Sequence, residues 1–188
     1  MPAVRYLCPD PDAPNPTLTA VIVPVPMADP LVGGFRNDLD VAASWGVPAH
    51  VTVLYPFVEP AQLNEQVMAA LATAVGSLRA FDYRLDRTAW FDEDVLWLAP
   101  EPAQPFREFT TAVWRAFPEH PPYEGAHGDS VPHLTVAERR RGTPTEMRAA
   151  ERVVRQGLPL AARAERILLI AGTRALDSWR IVHEFPLR

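Results

Sequence analysis

The chain contains no lysine: its 18 basic residues are all arginine and face 23 acidic ones, for a formal net charge of −5 over 188 residues. That balance excludes the broad cationic track on which long duplex nucleic acid is held, so any phosphate handled here is small or is a chain end. Cysteine is nearly absent. Cys8 stands alone, which excludes an internal disulfide or a thiolate metal cluster and leads us to expect a reducing, cytoplasmic setting. No apolar run approaches the ~18 residues of a membrane span, and the first residues lack a basic stretch leading into an apolar one. No membrane partner is expected, and the chain is expected to be a monomer. Proline, by contrast, is abundant at 21 and falls between apolar runs, a pattern of short elements joined by stiff loops around one substantial core.

The strongest local pattern occurs twice. Ala49-His50-Val51-Thr52-Val53-Leu54-Tyr55-Pro56-Phe57 has a near copy in Pro132-His133-Leu134-Thr135-Val136-Ala137, with the histidines 83 residues apart. In an extended chain alternate side chains share a face. His50 and Thr52 therefore lie on one face and Val51 and Val53 on the other, and His133 and Thr135 are opposed in the same way to Leu134 and Val136. Each copy is led by proline, at Pro48 and Pro132, which suits the first residues of a strand. By the same parity Tyr55 and Phe57 belong to the core.

Residues 1–17, with five prolines, read as an irregular lead-in. Residues 18–188 read as one domain of two similar lobes, about 18–92 and 93–188. Apolar periodicity predicts a strand over 18–25, a helix over 30–45, a strand over 50–57, a helix over 61–78 and a strand over 81–90. The order then recurs: a strand over 95–99, a helix over 104–117, a strand over 132–138, a helix over 144–157 and a strand over 163–172, with one strand left over near the end. The second half is lengthened by a loop at 119–130 that holds Tyr123, His127 and Asp129. A duplicated β-α-β-α-β unit predicts an α+β fold with a pseudo-twofold axis, which would bring the two His-Thr faces together.

Two histidines so placed suit in-line displacement at a phosphodiester. One takes a proton from the incoming oxygen and the other gives a proton to the leaving oxygen, and imidazole titrates close enough to neutrality to serve in either role. Threonine hydroxyls beside them can donate to the non-bridging oxygens. The candidate catalytic residues are thus His50, Thr52, His133 and Thr135, either histidine serving as base, and the chemistry demands no metal.

The two motifs, with their separation and the repeated order of elements, resemble the two-histidine (2H) phosphoesterases. Within them they are most similar to the bacterial 2′-5′ RNA ligase and RNA 2′,3′-cyclic phosphodiesterase family. The resemblance runs from about Leu18 to the end of the chain. It implies two antiparallel sheets around a central cleft with helices outside, and no cofactor. It also implies action on 2′,3′-cyclic phosphates or 2′-5′ linkages of RNA ends, oligonucleotides or small nucleotides. Members acting on RNA ends often carry a basic residue directly after the second motif, where this chain has Glu138 followed by Arg139, Arg140 and Arg141. Counted by alternation from His133, Arg139 reaches the cleft face if the strand persists that far. Arg139 and, for stacking on a base, Tyr123 are the candidate substrate-binding residues.

Other readings compete with this one. A histidine opening a strand is commonly satisfied by a main-chain carbonyl with its threonine present for β propensity, a reading that suits one copy better than two in register. A zinc site from His50, His133, His127 and Asp129 lacks closely spaced ligand pairs and leaves the threonines without a role. Trp45, Trp90, Trp97, Trp114 and Trp179 read as core. Hydrolysis of a non-nucleic cyclic phosphate, or nucleotide binding without turnover, are the alternative functions.

Overall fold

The structure is a computed structural model that describes residues 15–125 and 131–188, with the side chains of Tyr123 and Glu124 left aside. Most of the lead-in with Cys8, and the loop residues His127 and Asp129, fall outside the described residues. Eight strands form two four-stranded antiparallel sheets. Sheet A has the order β2-β1-β7-β8, from His50–Leu54, Leu18–Pro24, Arg166–Gly172 and Arg180–Pro186. Sheet B has the order β5-β4-β3-β6, from Leu134–Glu138, Val95–Glu101, Phe81–Phe91 and Leu160–Ala164. The helices are α1 (Asp29–Leu39), α2 (Val41–Ser44), α3 (Glu65–Val75), α4 (Gln104–Ala116) and α5 (Pro144–Val154).

Local chemistry sets the helix starts. Asn64 accepts from the main-chain N–H groups of Gln66 and Val67, both at 3.0 Å, and Thr143 forms a reciprocal capping box with Glu146 ahead of Pro144. The helix expected over 30–45 is broken at Asp40, whose backbone is extended and whose carboxylate accepts from the N–H of Ala42. Asp40 also pairs with Arg36 at 2.8 Å, one turn earlier, and the two are 1% and 4% exposed. A buried guanidinium needs a fixed carboxylate beside it, and ending the helix at Asp40 holds that carboxylate in place.

The sheets do not follow a division of the chain near residue 92. The turn at Asp92, with φ of +48°, joins β3 to β4 as a hairpin, so β3 lies in sheet B, while β7 and β8 return to sheet A. The strand expected over 163–172 is two strands, β6 in one sheet and β7 in the other, with the crossing at Glu165. The helices interlock likewise: α1, which follows β1 of sheet A, backs β5 of sheet B, and α4, which follows β4 of sheet B, backs β2 of sheet A. One continuous core fills the space between helices and outer sheet faces, from Val21, Val51 and Leu169 on one side to Leu98, Leu134 and Val136 on the other.

Edge strands β2 and β5 lie side by side, so the inner faces of the two sheets flank one cleft. The inner face of sheet A carries Ala20, Ile22, Leu168 and Ile170 beneath Trp179, with Trp45 and Tyr55 packed against them. Trp179 therefore lies on the cleft side and not in the main core. Trp97, opposite Thr135 in the ladder, does the same in sheet B. Trp114 is 43% exposed on α4, against the expectation of a core position.

Candidate active site

Both motifs are built alike at atomic detail. The Nδ1 of His50 lies 2.8 Å from the carbonyl oxygen of Pro48, and the Nδ1 of His133 lies 2.7 Å from that of Val131. A carbonyl oxygen only accepts, so in each ring the proton sits on Nδ1 and Nε2 is turned away from the main chain. A neutral ring held this way presents a lone pair at Nε2, and a charged one presents an N–H. Prolines beside the acceptors, Pro48 itself and Pro132 after Val131, stiffen the segment that carries them.

Directly after each threonine, the ladder slips. Ile22 pairs with Thr52 and Val21 with Leu54, leaving Val53 bulged, while Trp97 pairs with Thr135 and Leu96 with Ala137, leaving Val136 bulged. The bulges sit at equivalent places in the two copies. Each lets two successive apolar residues enter the core: Val53 and Leu54 are 2% and 0% exposed, and Val136 and Ala137 are both 0% exposed. Parity counted beyond the threonine is therefore inverted. Tyr55 lands on the inner face, its ring centroid 6.5 Å from that of Trp179, although Phe57, after the next turn, is buried in the core as expected.

The inversion also relocates Arg139. Strand β5 ends at Glu138, and the exposed Arg139 donates from Nη1 to the carbonyl of Gly142 at 3.1 Å, closing the turn into α5. The structure does not bring Arg139 together with the His-Thr tetrad. Glu138 instead accepts from the N–H of Val41 at 3.3 Å, in the break between α1 and α2. Burial and the neighbouring Asp40 raise its carboxyl above the ordinary range. The backbone of Tyr123 lies in a 3-10 turn at Pro122–Gly125.

The two histidines differ in their surroundings. Burial, then the Arg36 guanidinium, then the facing His133, push the His50 imidazole down to about 3 against the opposing pull of the Pro48 carbonyl. Arg36, on α1, donates to the carbonyl of Val47, three residues before His50, at 3.3 Å. Since Asp40 offsets much of the charge on Arg36, burial is the main reason that His50 stays neutral. His133 rests against a pair of stacked rings, edge-on to Phe91 with centroids 4.9 Å apart and 5.9 Å from Trp97. Among the described residues, no group of three or more His, Cys, Asp or Glu side chains could hold a metal ion.

Sequence reasoning missed Arg36, Asp40 and the aromatic pair around His133. Arg36 and Asp40 sit at i and i+4 on a predicted helix, the only hint of a pair.

A family model described as the 2′-5′ RNA ligase superfamily matches residues 24–175. No curated protein matches the chain. Among solved structures, TT0787 of Thermus thermophilus is similar at 20% identity with a TM-score of 0.67, covering 91% of this chain and 98% of its own. E. coli LigT complexed with 3′-AMP is similar at 14% identity with a TM-score of 0.60, covering 92% and 98%. The same protein complexed with ATP gives 15% and 0.60 with equal coverage.

Proposed function

The chain belongs to the 2′-5′ RNA ligase superfamily, a branch of the 2H phosphoesterases, and from that premise we propose that it is a metal-independent phosphodiesterase opening 2′,3′-cyclic phosphates of nucleotides or RNA ends. The observation that carries the reading is the matched pair of Nδ1-to-carbonyl bonds, 2.8 and 2.7 Å, on two strands that face one cleft. Two Nε2 atoms so directed can flank a single phosphorus.

His50 is the general base and His133 the general acid in the hydrolytic direction. His50, held neutral by burial, accepts a proton at Nε2 from water as the water oxygen bonds to phosphorus. The bond from phosphorus to one ribose oxygen breaks, and that oxygen takes the proton from Nε2 of His133, leaving a phosphomonoester. Thr52 and Thr135 donate to the non-bridging oxygens as charge builds on them. The same sequence with a ribose 5′-hydroxyl in place of water, the 3′ oxygen leaving, would form a 2′-5′ linkage, and its reverse would cleave one to a cyclic phosphate. A nucleotide is the proposed occupant, in keeping with the LigT complexes with 3′-AMP and ATP.

Turnover of a panel tests the reading: 2′,3′-cyclic mononucleotides, an RNA ending in a cyclic phosphate, 2′-5′ oligoadenylate and a non-nucleic cyclic phosphate, with phosphorus NMR to identify products. Opening of the nucleotide substrates supports it. Turnover of the non-nucleic compound alone, or binding with no turnover of any, overturns it.

A further inference from the structure

Next to Pro132, the residue that leads into His133, the inner face of sheet B is hollow. Across the strands the ladder places Thr135, Trp97 and Ala89 in one row, and Ala99 and Arg87 in the next, the row in line with His133. Ala99 has only a methyl group, and a depression of about 280 Å³ lies over it, lined by Arg87, Trp97, Arg107, Gln104 and Pro132, the last of these directly before His133 in the chain. Arg87 and Arg107 are exposed, and among the described residues neither forms an ion pair with a carboxylate, although seven such pairs engage other arginines. The N-cap of α4, Ala103, supplies no side-chain cap to the helix, and Ala103 and Gln104 border the hollow. Glu101 stands at the rim as the one carboxylate.

We propose that this hollow is a second phosphate subsite, in which Arg87 and Arg107 hold the 5′-phosphate of the nucleoside whose cyclic phosphate reacts between the histidines. The assignment rests on the function proposed above and deepens it. If His133 protonates the leaving ribose oxygen, the ribose lies on the His133 side of phosphorus, and the rest of its nucleotide extends over sheet B. Arg87 is two strands from His133, about 10 Å at the usual strand spacing, and a guanidinium on its stem reaches back across the methyl of Ala99. Two guanidiniums without carboxylate partners supply charge-assisted bonds to a phosphate dianion. Glu101 opposes them and sets the affinity below what two arginines alone would give. The preferred substrate is accordingly a nucleotide with a phosphate on both sides of its ribose, such as an RNA 3′ end, over an unphosphorylated nucleoside 2′,3′-cyclic phosphate.

Calorimetric binding of two unreactive ligands, adenosine 3′-phosphate and adenosine 3′,5′-bisphosphate, tests this without relying on turnover. The bisphosphate is expected to bind about tenfold or more tightly, the scale of a charge-assisted hydrogen bond. Arg87→Gln with Arg107→Gln should abolish that ratio, and Glu101→Gln should enlarge it. Equal affinities in the wild type, or a ratio that survives the double arginine substitution, overturn the subsite. Because binding is read separately, failure of all cyclic phosphates to turn over would sink the proposed reaction and leave the subsite to be judged on the ratio alone.

Discussion

Holding His50 neutral has a cost that shows in the stability of the protein. In the unfolded chain this imidazole takes up a proton near pH 6.5, whereas in the fold it does so only near 3. Between those values the unfolded state binds more protons, so stability falls as pH falls, beginning near 6.5 and levelling off below about 3. From pH 7 to pH 5 the linkage amounts to about 2 kcal/mol from this one ring. Urea denaturation of the wild type and of His50→Gln at both pH values isolates it, because the variant cannot take up the proton in either state. The wild type should lose about 2 kcal/mol more than the variant on acidification. An NMR titration should show the His50 ring unprotonated at pH 5, and the fall of activity on the acid side should not begin until well below that pH. A His50 midpoint near 6.5, or identical pH dependence in the two proteins, would refute the account of burial given above.

His50→Ala and His133→Ala should each lower turnover of the best substrate by about 10²-fold or more, with the double variant scarcely worse than either single one, as read by steady-state kinetics. Thr52→Ala and Thr135→Ala should cost less, since water can replace one neutral donor. Arg36→Met leaves Asp40 buried and unpaired and should destabilise the fold by about 3–5 kcal/mol, while Arg36→Met with Asp40→Leu recovers most of that loss in the same urea assay. Gly172→Ala would place a methyl 2.6 Å from the ring of Trp179 and 2.8 Å from its Cα, and should lower stability by about 1–3 kcal/mol with a shift in tryptophan fluorescence. Turnover should be unchanged by a chelator, because the two imidazoles and two hydroxyls cover both proton transfers and the phosphoryl oxygens. Loss restored by a divalent ion would count against that.

The shared face of each His-Thr pair was legible because alternation holds across the three residues from His50 to Thr52 and from His133 to Thr135. It failed directly afterwards. A bulge at Val53 or Val136 is invisible in a run of apolar residues, since Val-Leu and Val-Ala look alike whether or not both enter the core. The place of Tyr55 followed from that one slip, and Arg139 lies past the end of β5 at Glu138, where alternation no longer counts. Trp97 and Trp179 are buried as expected, but burial of a large ring does not say on which side of a sheet it is buried, and theirs is the cleft side, while Trp114 is exposed. Sheet membership crosses residue 92 because a hairpin turn binds its two strands into one sheet regardless of where a repeat begins. Arg87 and Arg107 were unremarkable as isolated letters, 20 residues apart, and acquire meaning only across the methyl of Ala99.

The crosswise backing of α1 on β5 and of α4 on β2 bears on how such a protein could have arisen. A single β-α-β-α-β segment would present its histidine strand without most of its helical backing, and its first helix without the strand it covers. Two copies supply each other's missing half, so the smallest version able to bury its apolar surface is a pair of interlocked chains. A pair joined through a turn like the one at Asp92 keeps both histidine strands side by side, so the cleft is a property of the pairing and not of either half.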